Sequence, residues 1–176
     1  MDFRVDPLRK SHASRASVIF HDEEICMKKN LVLSVGNGMM GDDGAGAFLV
    51  QKMQHAPLDN WDVINGGSAP ENVLYRVREM APDHVLVVDA ADMDLAPGSI
   101  RLIPDEKLND PFLLTTHALP LTFLIEALRE FVLRVDLLGI QPEVVAFGYP
   151  ISESVRQAVA KVYNGLQSGE AGWLCL

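Results

Sequence analysis

Residues 31–44 read Leu-Val-Leu-Ser-Val-Gly-Asn-Gly-Met-Met-Gly-Asp-Asp-Gly. The apolar run Leu31–Val35 predicts a buried strand, the glycines that follow predict a tight turn, and Ala45–Gln54 has the pattern of a helix. This order places the turn backbone at the carboxyl end of a strand, where parallel α/β sheets bind ligands. Anions usually bind at such a helix start, but Asp42 and Asp43 would repel a phosphate. The two carboxylates therefore predict a cation site.

Length and composition favour one compact domain. The chain has 176 residues, of which 48% are hydrophobic, which is enough for a sizeable core. No apolar run approaches the roughly 20 residues of a membrane-spanning helix. The formal net charge of -9 argues against nucleic acid or an anionic membrane as partner. Cys26 and Cys175 form no CxxC pair, so we expect neither a disulfide scaffold nor structural zinc, and the predicted compartment is the cytoplasm.

The first residues differ from the rest of the chain. Residues 1–24 are polar and aperiodic, and their apolar cluster, Ala16 to Phe20, is shorter than the roughly 7–15 residues of a secretory signal core. We expect residues 1–29 to be a disordered extension or the product of a start codon assigned too early. Residues 30–170 are predicted to form a single domain, and 171–176 a short tail to which no function is assigned.

Strand patterns alternate with helix patterns through this domain. The predicted strands are Leu31–Val35, Trp61–Ile64, Val85–Asp89, Ser99–Ile103, Val135–Ile140 and Val144–Phe147. Continuous apolar runs of this kind are typical of strands that are covered on both faces, as in parallel sheets. The pattern predicts a three-layer α/β/α domain with a twisted, mostly parallel central sheet of five to six strands.

Three further helices are predicted between and after the strands. Ser68 opens a capping box with Pro70 in the first turn, and this helix runs to about Met80. A long helix capped by Thr115 or Thr116 runs to about Leu133 and presents Leu121, Leu124, Ile125 and Leu128 on one face. The last helix starts near Ser152 and buries Val155, Ala158, Val159, Val162 and Leu166. The longest predicted loop is Pro104 to Leu114.

Three residues of metal-binding types stand at the ends of predicted elements. Asp43 follows the first strand, Asp89 ends the third, and His117 lies between the fourth strand and the long helix. Parallel α/β sheets gather ligand groups at the carboxyl ends of their strands, so these three can converge although they are far apart in sequence. Two carboxylates and one imidazole form a mixed oxygen and nitrogen set suited to a divalent metal such as Ni, Zn, Mn or Fe.

Each of these residues also has a structural interpretation. Asp42 or Asp43 can cap the first helix, Asp89 can form a turn, and His117 beside two threonines can be a cap or a surface residue. The other histidines, His12, His21, His55 and His84, lack a comparable position. The joint placement at one edge of the sheet favours the metal site.

A dinucleotide site is the rival interpretation of the glycine turn. Residues 36–41 satisfy the pattern G-x-G-x-x-G after a strand. However, Asp42 and Asp43 would crowd the pyrophosphate, and the second strand ends in Asn65 rather than in an acidic ribose ligand. The domain is also too short for a separate substrate half, so the sequence disfavours this alternative.

Several ordered motifs resemble one family. They are Gly36-Asn37-Gly38-Met39-Met40-Gly41-Asp42-Asp43-Gly44-Ala45-Gly46, residues 65–72, residues 88–93, Thr115-Thr116-His117 and residues 139–143. Together they resemble the nickel-iron hydrogenase maturation endopeptidases, and within these the branch that processes the large subunit of the formate hydrogenlyase hydrogenase. The resemblance covers residues 30–163.

The resemblance implies an activity, a metal and a partner. Family members cleave a C-terminal extension from the hydrogenase large-subunit precursor after nickel insertion, and the family's metal-binding residues fall on Asp43, Asp89 and His117. The nickel is supplied by the precursor rather than tightly held by the enzyme. No Ser-His-Asp or Cys-His arrangement stands out, so we expect metal-mediated chemistry without an acyl-enzyme. We also expect a monomer.

Position 65 departs from the family pattern, which has Asp before the two glycines where this chain has Asn65. Asparagine cannot act as a general base, so either its role is structural, through a turn hydrogen bond, or the activity is impaired. The second possibility leaves open a non-catalytic protein that binds the nickel-loaded precursor.

Overall fold

The computed structural model describes residues 29–108 and 121–169. Five strands form one sheet: β1 Asn30–Ser34, β2 Trp61–Asn65, β3 His84–Ala90, β4 Ile100–Ile103 and β5 Arg134–Ile140. Their order across the sheet is β2-β1-β3-β5-β4. All neighbouring strands are parallel except β4, which is antiparallel to β5. The prediction of a mostly parallel sheet is confirmed, with five strands in the part of the chain that is described.

Helices cover both faces of the sheet. They are α1 Ala45–His55, α2 Leu74–Met80, α3 Asp105–Leu108, α4 Leu121–Arg129 and α5 Glu153–Ser168, with 3-10 turns at Gly41–Gly44 and Pro70–Val73. Side chains of a strand alternate between its faces, and in β3 Val85 and Val87 pack with α2 and α4 while Leu86 and Val88 pack with α1 and α5. The three-layer α/β/α architecture is therefore confirmed.

The strand order creates one switch point. From β1 the chain proceeds to β2 on one side, whereas β3 lies on the other side of β1. The connections that leave β1 and β3 therefore diverge, and the rule for open α/β sheets predicts a ligand crevice at the carboxyl ends of these two strands. Open α/β sheets bind their ligands in such a crevice.

The predicted strand Val144–Phe147 is wrong. These residues follow β5 as irregular chain and a turn, and the backbone of Val144 bonds to Asp42 in the 3-10 turn instead of to a neighbouring strand. Asp42 N–H donates to Val144 O at 2.9 Å, and Val144 N–H donates to Asp42 Oδ2 at 3.0 Å. Hydrogen bonds to Asp42 therefore hold Val144 outside the sheet, although the sequence of residues 144–147 favours a strand.

Two helix predictions need correction and two are confirmed. Ser68 does not cap, because the 3-10 turn that precedes α2 begins after Ala69 and has no side-chain cap. α4 ends at Arg129 rather than near Leu133, although its four predicted apolar residues are buried. α1 agrees with its prediction to within one residue, and Ser152 caps α5 by accepting a hydrogen bond from Val155 N–H. Thr115 and Thr116 lie outside the described residues, and the predicted loop from Pro104 contains α3.

Within residues 29–108 and 121–169, the structure contains no helix with the length and apolar character needed to cross a bilayer.

Candidate active site at the carboxyl edge of the sheet

Asp43 is placed by the glycine turn after β1. Gly36 has φ +123°, and a Cβ there would lie 2.0 Å from the backbone oxygen of Asp43, so only glycine lets the turn fold back onto the 3-10 turn. Asn37 N–H donates to Asp43 Oδ2 at 2.7 Å. The side chain is buried, with 1% exposure. Neither the 3-10 turn nor α1 has a side-chain cap, so the capping interpretation of Asp42 and Asp43 is wrong.

Asp89 lies near the end of β3 and is fully buried. Its strand is joined to the end of β1 by a 2.9 Å hydrogen bond from Val35 N–H to Val88 O, and the 3-10 turn that carries Asp43 packs against β3. Gly46 makes this approach possible, because a Cβ there would lie 2.8 Å from the backbone oxygens of both Val35 and Val88. The structure therefore brings Asp43 and Asp89 to the two sides of the switch point.

His117 lies outside the described residues, so its predicted place beside the aspartates stays a prediction. One premise for it is wrong. β4 is antiparallel to β5, and its carboxyl end therefore points to the opposite edge of the sheet. In sequence His117 shortly precedes α4, and α4 packs on the sheet face to which strand alternation assigns Asp89. Among the described residues, no three His, Cys, Asp or Glu side chains come together as a metal cluster.

Asn65 has a structural contact of the kind that the sequence allowed. Its Oδ1 accepts hydrogen bonds from Gly67 N–H at 3.0 Å and from Ser34 Oγ–H at 3.2 Å. Gly67 O in turn accepts from Gly36 N–H at 3.0 Å. Asn65 thereby holds the turn after β2, which supports the glycine turn that positions Asp43. Both donors reach the side-chain oxygen, an atom that Asp would also supply.

Asp42 has a role that sequence reasoning missed. Its fully buried carboxylate accepts four hydrogen bonds: from Glu143 N–H (2.8 Å), Val144 N–H (3.0 Å), Ser152 N–H (2.7 Å) and Ser152 Oγ–H (2.9 Å). Burial by itself raises the pKa of Asp42, but these hydrogen bonds outweigh it, and the pKa lies below its usual value. The carboxylate thus fixes the segment between β5 and α5, and the prediction that both adjacent carboxylates serve a cation does not hold for Asp42.

Comparison with known proteins shows which family the chain resembles over most of its length. A family model described as hydrogenase maturation protease matches residues 48–168, a range that includes Asn65, Asp89 and His117 but not Asp43. The chain is 48% identical over 141 residues to the hydrogenase 3 maturation protease of Escherichia coli K12, covering 80% of this chain and 90% of that protein. It is 34% identical over 149 residues to a putative hydrogenase maturation protease of Methanocaldococcus jannaschii, covering 79% and 86%.

Solved structures show the same fold. The crystal structure of the hydrogenase 3 maturation protease superposes with a TM-score of 0.76 at 46% identity, covering 83% of this chain and 94% of that one. The solution structure of the Escherichia coli endopeptidase HycI gives a TM-score of 0.75 at 48% identity, covering 81% and 91%. The chain belongs to the hydrogenase maturation protease family.

Proposed function

We propose that this protein is an endopeptidase that removes the C-terminal extension of a [NiFe]-hydrogenase large-subunit precursor after nickel insertion, and that it reads the inserted nickel as its signal. One observation carries the proposal: in a chain of this family, two buried carboxylates, Asp43 and Asp89, flank the switch point of the sheet. The relative at 48% identity is a hydrogenase 3 maturation protease. We place the protein in the cytoplasm and expect it to act as a monomer.

The two carboxylates suit a metal that arrives with the substrate. Carboxylate oxygens and an imidazole nitrogen form a donor set for nickel or a similar divalent ion, and His117 is our third ligand. Both carboxylates are buried, and a cation is the partner that stabilises a buried carboxylate through its charge. Asp43 and Asp89 would complete the coordination of the precursor's nickel and fix the scissile bond beside it.

The chemical step is proposed to use this metal rather than a covalent nucleophile. A divalent ion can polarise the scissile carbonyl or lower the pKa of a water that attacks it. Asn65 lacks a titratable side chain and bonds through its oxygen to Gly67 and Ser34, so we assign it to the support of the turn rather than to proton transfer.

A processing assay tests the proposal. The purified protein is mixed with the large-subunit precursor of Escherichia coli hydrogenase 3, with and without inserted nickel, and the precursor is weighed by mass spectrometry. The Escherichia coli hydrogenase 3 maturation protease serves as positive control. We expect loss of a C-terminal peptide from the nickel-loaded form only.

Two other outcomes would contradict the proposal. Nickel-dependent binding without cleavage would identify a recognition protein that has lost its chemistry. Neither binding nor cleavage, in a reaction where the Escherichia coli protease cleaves, would exclude this substrate.

A further inference from the structure

Two segments that meet beside the candidate active site carry exposed apolar side chains. The side chains of Phe147, Tyr149 and Met39 are 73%, 59% and 62% exposed. Val144 and Val145 are also exposed. We call these five residues the apolar rim. Residues 144–151 contain no charged side chain, although the protein as a whole carries a net charge of -9.

We propose that the apolar rim is the surface on which the protein seats an apolar segment of its precursor substrate, next to the bond that it cleaves. This inference rests on the proposed function and adds to it the chemistry of the contact. The occupant is a stretch of the large-subunit precursor that carries aliphatic or aromatic side chains.

The rim is continuous with the turn that carries Asp43. Gly148 N–H donates to Met39 O at 2.9 Å, and Asp42 N–H donates to Val144 O at 2.9 Å. Gly41 allows close packing between the two segments, because a Cβ there would lie 2.6 Å from Val144 O. Met39 lies four residues before Asp43, in the glycine turn that leads into the 3-10 turn, so a polypeptide that reaches Asp43 would run beside the rim.

The rim is also held in place, which suits a binding surface. The Asp42 carboxylate bonds to the N–H groups of Glu143, Val144 and Ser152, at both ends of the loop that presents Phe147 and Tyr149. A loop fixed in this way loses little conformational freedom when a partner binds.

An uncharged partner surface fits the rim best. Water-exposed aromatic side chains gain free energy when an apolar partner covers them, and Phe, Tyr and Met are enriched at protein interfaces. Exposed apolar side chains that cluster on a surface are typical of interaction sites. A basic segment, by contrast, would find no carboxylate within residues 144–151.

The test separates docking from chemistry. Phe147→Ser and Tyr149→Ser are compared with Leu133→Ser, a matched change at a 91% exposed apolar residue that directly precedes β5 at the opposite edge of the sheet. Initial rates are measured against the concentration of nickel-loaded Escherichia coli hydrogenase 3 precursor. We expect Phe147→Ser to raise KM roughly tenfold with little change in kcat, because burying one such side chain is worth about that factor. Phe147→Leu should recover most of the loss, and Leu133→Ser should behave like the unaltered protein.

The outcomes distinguish failure of the docking inference from failure of the proposed function. If the unaltered protein cleaves the precursor and Phe147→Ser and Tyr149→Ser leave KM unchanged, the docking inference is overturned and the proposed function stands. If the unaltered protein sediments as a dimer and the variants sediment as monomers with an unchanged KM, the rim is instead a contact between two copies of this chain, and the docking inference is overturned. If the unaltered protein neither binds nor cleaves the precursor, both fail. Thermal melts of all variants verify that the changes leave the fold intact.

Discussion

Asp42 and Asp43 are adjacent, both are buried, and they share one 3-10 turn. Their side chains nevertheless contact two different regions of the molecule. The Asp42 carboxylate reaches the segment between β5 and α5 and accepts four hydrogen bonds there. Asp43 accepts a hydrogen bond from Asn37 in the glycine turn after β1 and lies at the switch point, as does Asp89 at the end of β3. The difference teaches that burial alone does not show what a carboxylate does: Asp42 fixes the segment between β5 and α5, whereas Asp43 lies at the switch point where we propose the metal site.

The largest effect is expected from Asp43→Asn. We propose that Asp43 binds the metal of the substrate; loss of such a carboxylate removes several kcal/mol of transition-state stabilisation, so processing should fall on the order of a thousandfold. The asparagine oxygen still accepts from Asn37 N–H, and the free energy of unfolding should change by about 1 kcal/mol or less. Cleavage of nickel-loaded precursor and urea unfolding measure the two quantities. Retained cleavage would remove Asp43 from the mechanism.

Asp42→Ala should affect stability much more than processing. Four donors lose their acceptor, and the free energy of unfolding should fall by roughly 3 kcal/mol, since hydrogen bonds to charged groups are worth more than neutral ones. Urea unfolding monitored by circular dichroism measures the loss, with Asp42→Asn as the intermediate case. Processing at low temperature, where the variant remains folded, should persist. A stable Asp42→Ala variant without any activity would break the distinction between the two aspartates.

Acid should expose the same distinction. The pKa of Asp42 is lower in the folded protein than its ordinary value of about 3.9. Its contribution to stability is therefore fully present above that ordinary value and is lost as the pH falls through the lower folded pKa. Asp42→Asn should flatten this part of the stability profile below about pH 4.

Stability measured by urea unfolding from pH 7 downward checks the acid prediction. Asp136 provides the control, because a hydrogen bond from His84 lowers its pKa as well, and its contribution should survive in the Asp42→Asn variant. An unchanged profile would mean that the Asp42 hydrogen bonds do not depend on its charge.

The sequence was sufficient for elements that depend on local pattern. Apolar runs predicted β1, β3 and β5 to within one residue, and the strand-end rule placed Asp43 and Asp89 at one edge. It was insufficient where a distant contact decides the structure. Val144–Phe147 has the β-branched and aromatic composition of a strand, but Asp42 binds its backbone across 102 positions of the chain. The direction of β4 likewise depends on its pairing with β5, which no local pattern specifies.

The smallest effect is expected at Asn65. Like Asp42 it has a structural role, but the turn that it stabilises supports the glycine turn that positions Asp43. Asn65→Ala removes the acceptor of Gly67 N–H and Ser34 Oγ–H and should cost about 1–2 kcal/mol of stability. Asn65→Asp retains an acceptor at the same position, and if the role is only structural, kcat should change less than about threefold. Processing rates from pH 5 to 8 provide the measurement. A large gain in kcat, together with a new pH dependence of kcat, would show instead that a carboxylate at position 65 takes part in proton transfer. The chain with Asn65 would then lack a proton-transfer group.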